Sequence, residues 1–126
     1  MDPPGEQDLI SNAEYEILTA AHEDLNGLWE AIWGLRSNVA PDASEPELRR
    51  LAEHVLRGFL ERGWIELRRH RATTREDVPI DHGESLRLLA DPANWEPPDV
   101  DSWYVGFLST SRGDEAWYAH NRHSAS

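Results

Sequence analysis

The chain contains no cysteine, which excludes disulfide bonds and thiolate metal sites. It also has no apolar run long enough to cross a membrane. Its first residues, MDPPGEQD, are acidic and lack the basic and apolar regions of a secretion signal. These absences predict a cytoplasmic protein that has no contact with a membrane.

Lysine is absent as well. All 12 basic residues are arginines, and 24 acidic residues bring the formal net charge to -12. A field of this sign repels nucleic acid at long range. The arginines are unevenly distributed, because residues 45–75 hold eight of them with only five glutamates. This basic island keeps nucleic acid as an alternative partner, although the net charge disfavours it.

The length and composition indicate a single globular domain. The chain has 126 residues, of which 39% are hydrophobic and 29% charged. Residues 1–10 include Pro3, Pro4 and Gly5 and are predicted to form a flexible tail. The predicted organisation is therefore this tail, a domain over residues 11–120 and a frayed C-terminal tail over residues 121–126.

The clearest structural pattern lies between residues 44 and 69. Ser44 and Glu47 have the spacing of a capping box, and Gly63 is a helix-ending glycine. Between them, apolar residues recur at the spacing of one buried helical face. They are Leu48, Leu51, Ala52, Val55, Leu56, Phe59 and Leu60. The pattern predicts a helix over about residues 45–62 that is followed directly by a strand.

The same reasoning assigns the other elements, with boundaries uncertain by a few residues. Two helices precede the one described above: the first covers residues 12–22, and the second is capped by Asp24 or Asn26 and ends near Ser37. Strands over residues 64–70 and 103–108 are expected to pair antiparallel. The segment between them is predicted to hold a polar, mobile stretch and a short helix capped by Asp81. A last helix runs from Ser111 to about His120.

These elements predict a fold that is mainly α with a small antiparallel β-sheet, an α+β class. The segments FLERGWIELRR (59–69) and LSTSRGDEAWY (108–118) resemble the winged-helix superfamily of bacterial regulators. The second is similar to the Leu-Thr-x-x-Gly-x turn that closes the wing in many members. The resemblance covers roughly residues 12–120. It implies three N-terminal helices, a two-stranded wing enlarged by a helical insertion, and a closing C-terminal helix.

A winged helix that reads DNA would use its third helix and its wing. The outward face of the third helix offers Arg50, His54 and Arg57. The wing would add four arginines, here called the wing arginines: Arg68, Arg69, Arg71 and Arg75. The local sequence offers these arginines no obvious acidic partners, which makes them the best evidence in the sequence for nucleic-acid binding.

Acidic residues on the same helix argue against nucleic-acid binding. Glu47, Glu53 and Glu61 share the outward face of the third helix, where they would meet phosphates unfavourably. Glu53 also lies four residues before Arg57, the favourable order for an intrahelical ion pair. The face is therefore interpreted as a solvated surface.

Six tryptophans are many for a chain of this length, and most are expected in the core. Trp95 is predicted to be an exposed anchor for a protein partner, because it lies in a loop among prolines and acids. His120 and His123 are three residues apart but lack a third ligand, so no metal site is predicted. No catalytic residues and no cofactor are predicted.

The sequence therefore predicts a non-enzymatic, winged-helix-like module that regulates an unidentified protein partner by binding it. The first alternative is a DNA-binding transcriptional regulator that uses the third helix and the wing, with a dimer as the expected form. The second is an acidic inhibitor or immunity-type protein that occupies a basic site on its target. The sequence leaves the oligomeric state open.

Overall fold

The computed structural model describes residues 11–71 and 73–125, so the tail predicted for residues 1–10 lies outside the described residues. The protein is mainly α-helical with a small antiparallel sheet, which confirms the predicted fold class. The α-helices are α1 (Asn12–Glu23), α2 (Leu28–Asn38), α3 (Glu45–Arg62), α4 (His82–Ala90) and α5 (Ser111–Ala125). The strands are β1 (Asn26–Gly27), β2 (Ile65–Arg71), β3 (Glu76–Pro79) and β4 (Tyr104–Ser109), and a short 3₁₀-helix covers Pro92–Trp95.

Helix α3 begins and ends where its sequence signals predict. The Ser44 side chain accepts a hydrogen bond from the Glu47 backbone N–H at 3.3 Å, and the Glu47 carboxylate accepts one from the Ser44 N–H at 3.2 Å. At the other end, Gly63 has φ 71° and ψ 23°, a left-handed conformation that glycine adopts without steric cost. The chain then enters β2 within two residues.

The start of α2 differs from the prediction. Asp24 and Asn26 do not cap this helix, because the chain first forms strand β1. The N-cap is Gly27, whose N–H donates to the Glu30 carboxylate at 2.8 Å. The side-chain amide of Asn26 instead donates to the carbonyl of Ala20 at 2.8 Å, so it satisfies the last turn of α1.

The sheet has the strand order β1-β4-β2-β3, and every neighbouring pair is antiparallel. Strands β2 and β4 pair from Ile65 opposite Ser109 to His70 opposite Tyr104, which confirms the predicted pairing. Strand β3 lies in the stretch predicted to be polar and mobile. The sequence did not predict this strand, in which Glu76–Pro79 pair with the end of β2.

The core lies between one face of the sheet and the three N-terminal helices. Side chains alternate between the two faces of a strand, and those of Leu67 and Phe107 point to this core face, where both are fully buried. Helix α3 contributes the apolar residues that the spacing predicted, except that Leu51 is only partly buried. Its buried residues are Leu48, Ala52, Val55, Leu56, Phe59 and Leu60.

The long connection between β2 and β4 (residues 73–103 of the described chain) packs back onto the helices. Helix α4 contacts α3, and the 3₁₀-helix contacts α2 and α4. Leu89 and Trp95 from this connection belong to the hydrophobic core. The connection is therefore an integral part of the domain and does not project from it as a free loop.

Helix α5 approaches the start of β2 closely at a corner formed by LSTSRG (108–113). The Thr110 N–H donates to the Trp64 carbonyl at 2.9 Å, and the Thr110 hydroxyl donates to the Gly63 carbonyl at 2.6 Å. A Cβ atom at Gly113 would lie 2.0 Å from the Trp64 carbonyl oxygen, so this position requires glycine. The helix runs on to Ala125, beyond the end predicted near His120 and through most of the frayed tail predicted for residues 121–126, the last of which lies outside the described residues.

Candidate functional site

The outward face of α3 carries both positively and negatively charged side chains. Arg50 and His54 are exposed, and neither takes part in an ion pair among the described residues. The pKa of Glu47 is lowered mainly by its hydrogen bonds with Ser44 and to a lesser extent by the positive charge of Arg50. Glu61 is exposed on the same helix. This face therefore presents carboxylates and cations together.

Arg57 is only partly accessible, because it is held in place on both sides. Its Nε donates to the Glu53 carboxylate at 3.1 Å, which is the intrahelical pair expected from the sequence. Its Nη2 lies 3.4 Å from the Leu86 carbonyl, which belongs to helix α4. Since α4 packs on α3 at this point, part of the surface that a DNA-reading helix would use is occupied by the protein itself.

An open groove lies beside this face, between the start of α1 and α3. Its apolar floor is formed by Leu51 and Val55 of α3. At its rim, the Arg62 guanidinium and the Glu14 carboxylate form an ion pair at 3.2 Å. His54 also lines the groove. The mixed rim gives this side of α3 no excess of positive charge.

Three of the four wing arginines have partners, contrary to the prediction from local sequence. The Arg68 Nε lies 2.8 Å from both carboxylate oxygens of Asp77, and the Arg68 Nη1 lies 3.0 Å from Glu66. These acidic partners raise the pKa of Arg68. The other two pairs join Arg69 to Glu84 at 3.4 Å and Arg71 to Asp101 at 2.9 Å.

Except for Glu66, these partners lie 9 to 30 residues from their arginines in sequence, which is why the local pattern did not reveal them. Asp101, for example, is 30 residues from Arg71. The hydrogen bond from Thr73 and then the hydrogen bond and charge of Arg71 lower the pKa of Asp101. The connection between β2 and β4 thus supplies the carboxylates that neutralise these arginines.

Arg75 is the wing arginine that stands apart. It lies in the turn between β2 and β3, is exposed and has φ 60°, a left-handed conformation that is uncommon for a residue with a side chain. Its side chain is in none of the ion pairs of the described residues. The cations of this region without an ion pair among the described residues therefore reduce to Arg50 and His54 on α3 and Arg75 in the turn between β2 and β3.

Trp95 is not exposed, so its prediction as a surface anchor was wrong. Only 4% of the residue is accessible, and its indole N–H donates to the Leu89 carbonyl at 2.8 Å. The prolines and acids around it suggested a surface loop, but the 3₁₀-helix carries the ring into the core against α2. The tryptophans that are exposed are Trp33, at 51%, and Trp103, at 41%.

Trp33 begins a row of aromatic rings that the sequence interpretation did not identify as a site. The rings of Trp33 and Trp29 are 6.5 Å apart, those of Trp29 and Tyr104 are 5.1 Å apart, and those of Tyr104 and His70 are 5.4 Å apart. We call these four residues the aromatic strip. The one-turn spacing of the two tryptophans was visible in the sequence, but their proximity to the strands depends on the register of β2 and β4.

The aromatic strip lies on the outer face of the sheet. Tyr104 is opposite His70 in the register, and His70 is opposite Asp77, so their side chains share one face. Leu67 and Phe107 occupy the other, buried face. The Trp29 ring covers Gly27, where a Cβ atom would lie 2.1 Å from it. The strip therefore runs from α2 across the outer side of the sheet.

Carboxylates surround the Tyr104 end of the strip. Burial raises the pKa of Tyr104, and the negative charges of Glu30, Asp24 and Asp77 raise it further. The Nδ1 atom of His70 lies 4.0 Å from Asp77 and has no hydrogen-bond partner among the described residues. The outer face thus combines aromatic rings with negative potential.

Of the two histidines considered for a metal site, His120 has a described side chain. His120 lies beside Tyr15, with 4.9 Å between the ring centroids, and nothing is described of the His123 side chain. Within the described residues, no group of three or more histidines and carboxylates could hold a metal ion. No described helix is long and apolar enough to cross a membrane.

Comparison with known proteins gives no relative: no family model, no curated protein and no solved structure matches this chain.

Proposed function

We propose that the chain is a winged-helix domain that acts by binding another protein and not by reading DNA. The order of its elements supports this fold: three helices, with a short strand before the second, are followed by β2, a long connection and β4. Strand β4 lies between β1 and β2 in the sheet. The corner at Thr110 and Gly113 coincides with the segment that resembles the wing-closing turn.

The observation that carries the functional proposal is the internal neutralisation of the wing arginines. Arg68, Arg69 and Arg71 each face a carboxylate of the same chain at 2.8–3.4 Å. To bind phosphates they would have to leave these partners, and the released carboxylates would then repel the same phosphates. Binding to nucleic acid draws its affinity from phosphate neutralisation, which this arrangement opposes.

Helix α3 supports the same conclusion. A DNA reader inserts the exposed face of this helix into the major groove. Here Arg57 is tied to Glu53 and to the Leu86 carbonyl, and Glu47 and Glu61 are exposed nearby. A surface of mixed charge with an apolar groove suits a protein partner better than a polyanion.

The transcriptional regulator is the second candidate, and one observation favours it. Arg50, His54 and Arg75 belong to no ion pair among the described residues, so they could contact phosphates. This candidate would need those three residues to outweigh a net charge of -12. It predicts that their joint replacement by alanine abolishes duplex binding.

The experiment is a fluorescence-anisotropy titration of a labelled random-sequence duplex at about 50 mM and about 200 mM salt. We expect no measurable binding by the wild-type protein. The matched control is Asp77→Asn combined with Glu84→Gln and Asp101→Asn, which removes one neutralising charge from each of Arg68, Arg69 and Arg71 while keeping side-chain size. This variant should bind the duplex weakly, with an affinity that falls steeply as salt rises. The expected fall is about 0.9 log units of affinity per log unit of salt for each phosphate contact.

Two results would contradict the proposal. The first is sub-micromolar duplex binding by the wild type at the higher salt concentration that is lost when Arg50, His54 and Arg75 are replaced. The second is a wild-type affinity equal to that of the carboxylate variant, because the internal ion pairs would then have no effect on nucleic-acid binding.

A further inference from the structure

The aromatic strip is an accessible surface that the function proposed above leaves unassigned. Trp33 is half exposed, while Trp29, Tyr104 and His70 are half-buried on the outer side of the sheet. None of these four residues belongs to the hydrophobic core of the described chain. Large aromatic side chains on a protein surface are the usual anchors of protein interfaces.

We propose that the aromatic strip, with the carboxylates of Asp24, Glu30 and Asp77 beside it, binds an arginine-containing segment of a partner protein. This inference rests on the proposed function, because it names the kind of partner that the protein-binding module takes.

Charge complementarity identifies the cationic partner. The negative charges of Glu30, Asp24 and Asp77 all act on the Tyr104 hydroxyl and raise its pKa. Arg68, a cation on this face of the sheet, is bonded to two carboxylates, Glu66 and Asp77, so these three groups together still carry one negative charge. An incoming guanidinium therefore meets net negative charge, whereas a phosphate or an acidic peptide is repelled.

The position of the guanidinium follows from the charges on α2. Arg36 lies three residues after Trp33, in the last turn of the helix, whereas Glu30 lies in its first turn. A cation is therefore disfavoured at the Trp33 end and favoured near Trp29 and Tyr104. We assign the arginine to that end and an apolar or glycine residue of the same segment to Trp33.

Aromatic rings beside carboxylates favour arginine over lysine. The planar guanidinium stacks on aromatic faces and forms two parallel hydrogen bonds to a carboxylate, whereas the lysine ammonium is a compact, strongly hydrated charge. The ring distances along the strip, 6.5, 5.1 and 5.4 Å, match an extended segment of about five residues at about 3.3 Å per residue.

The test is a titration of the ¹⁵N-labelled protein with the peptide Gly-Arg-Gly-Arg-Gly at about 50 mM salt, followed by two-dimensional NMR. Peptides with lysine or glutamate in place of arginine serve as comparisons. We expect the arginine peptide to shift the indole N–H signals of Trp29 and Trp33 and to leave that of the buried Trp95 unchanged. The lysine peptide should bind more weakly, and the glutamate peptide should not bind.

Variants localise the binding. Trp33→Ala removes the most exposed ring, on which the apolar or glycine residue of the segment would pack, and should weaken binding about two- to fivefold, the size of one small apolar contact. Glu30→Gln removes a charge but keeps an oxygen that can accept the hydrogen bond from the Gly27 N–H, and it should weaken binding by a similar factor. Trp103→Ala is the control, because this tryptophan is 41% exposed and lies outside the strip.

Three outcomes would overturn the inference: equal binding of the lysine peptide, equal effects of Trp33→Ala and Trp103→Ala, or no signal shift at millimolar peptide. The duplex titration decides the proposed function separately. A protein that binds neither duplex nor arginine peptide refutes this inference alone, whereas one that binds duplex with high affinity at the higher salt concentration refutes the proposed function.

Discussion

Replacing Gly113 by alanine should destabilise the protein, although alanine is the better helix former. A Cβ atom at this position would lie 2.0 Å from the carbonyl oxygen of Trp64 and 2.9 Å from its carbonyl carbon. Both are backbone atoms, so the clash cannot be relieved by rotating a side chain. Helix α5 would have to move away from the start of β2.

The magnitude follows from what that movement disrupts. Inserting a methyl group into a well-packed site costs about 1–3 kcal/mol. The shift would also strain the hydrogen bonds from Thr110 to Gly63 and Trp64, at 2.6 and 2.9 Å, each contributing about 1 kcal/mol. The higher helix propensity of alanine offsets about 1 kcal/mol of this destabilisation. We expect a net loss of about 2–4 kcal/mol in the free energy of unfolding.

Gly58 supplies the matched control within the same protein. It lies inside helix α3, and a Cβ atom there would have no neighbour within 4 Å. Gly58→Ala should therefore stabilise the protein by about 0.5–1 kcal/mol. Urea denaturation followed by circular dichroism measures both variants. A Gly113→Ala variant as stable as Gly58→Ala would refute the close approach of α5 to β2.

Two further predictions concern the core and an ionisable contact. Phe59 is fully buried against Trp64, so Phe59→Ala should cost about 3–5 kcal/mol in urea denaturation, and a loss below about 1 kcal/mol would contradict the register of α3. Burial raises the pKa of Asp114, but hydrogen bonds from Ser109 and His22 lower it more, so the net shift is downward. Asp114→Asn should therefore destabilise the protein at neutral pH, and its difference from the wild type should vanish as pH falls through the lowered pKa; a difference independent of pH would contradict this.

Helix α3 could be predicted closely from sequence because its signals are local. The capping box at Ser44, the apolar spacing and Gly63 lie within one stretch, and each acts on its neighbours. The pairing of β2 with β4 could be predicted because both strands carry apolar residues directly beside helix-ending or helix-starting signals.

Strand β3 and the aromatic strip could not be predicted in the same way. All four residues of Glu76–Pro79 are exposed, so no apolar alternation marks them, and their strand conformation depends on the neighbouring edge of β2. The strip joins Trp29 to Tyr104, whose contact depends on the tertiary position of α2 against the sheet. The partners of the wing arginines, such as Asp101 for Arg71, are likewise set by the folded connection.

The packing of Trp95 limits which parts of the protein can unfold locally. Its indole N–H is buried and bonded to the Leu89 carbonyl, and both residues contribute to the core. The connection between β2 and β4 therefore cannot detach without exposing that core, so α4 and the 3₁₀-helix belong to the same cooperative unit as α2 and α3. Hydrogen exchange at this indole should be as slow as at the core amides of α3, whereas the backbone amides of the exposed strand β3 should exchange faster.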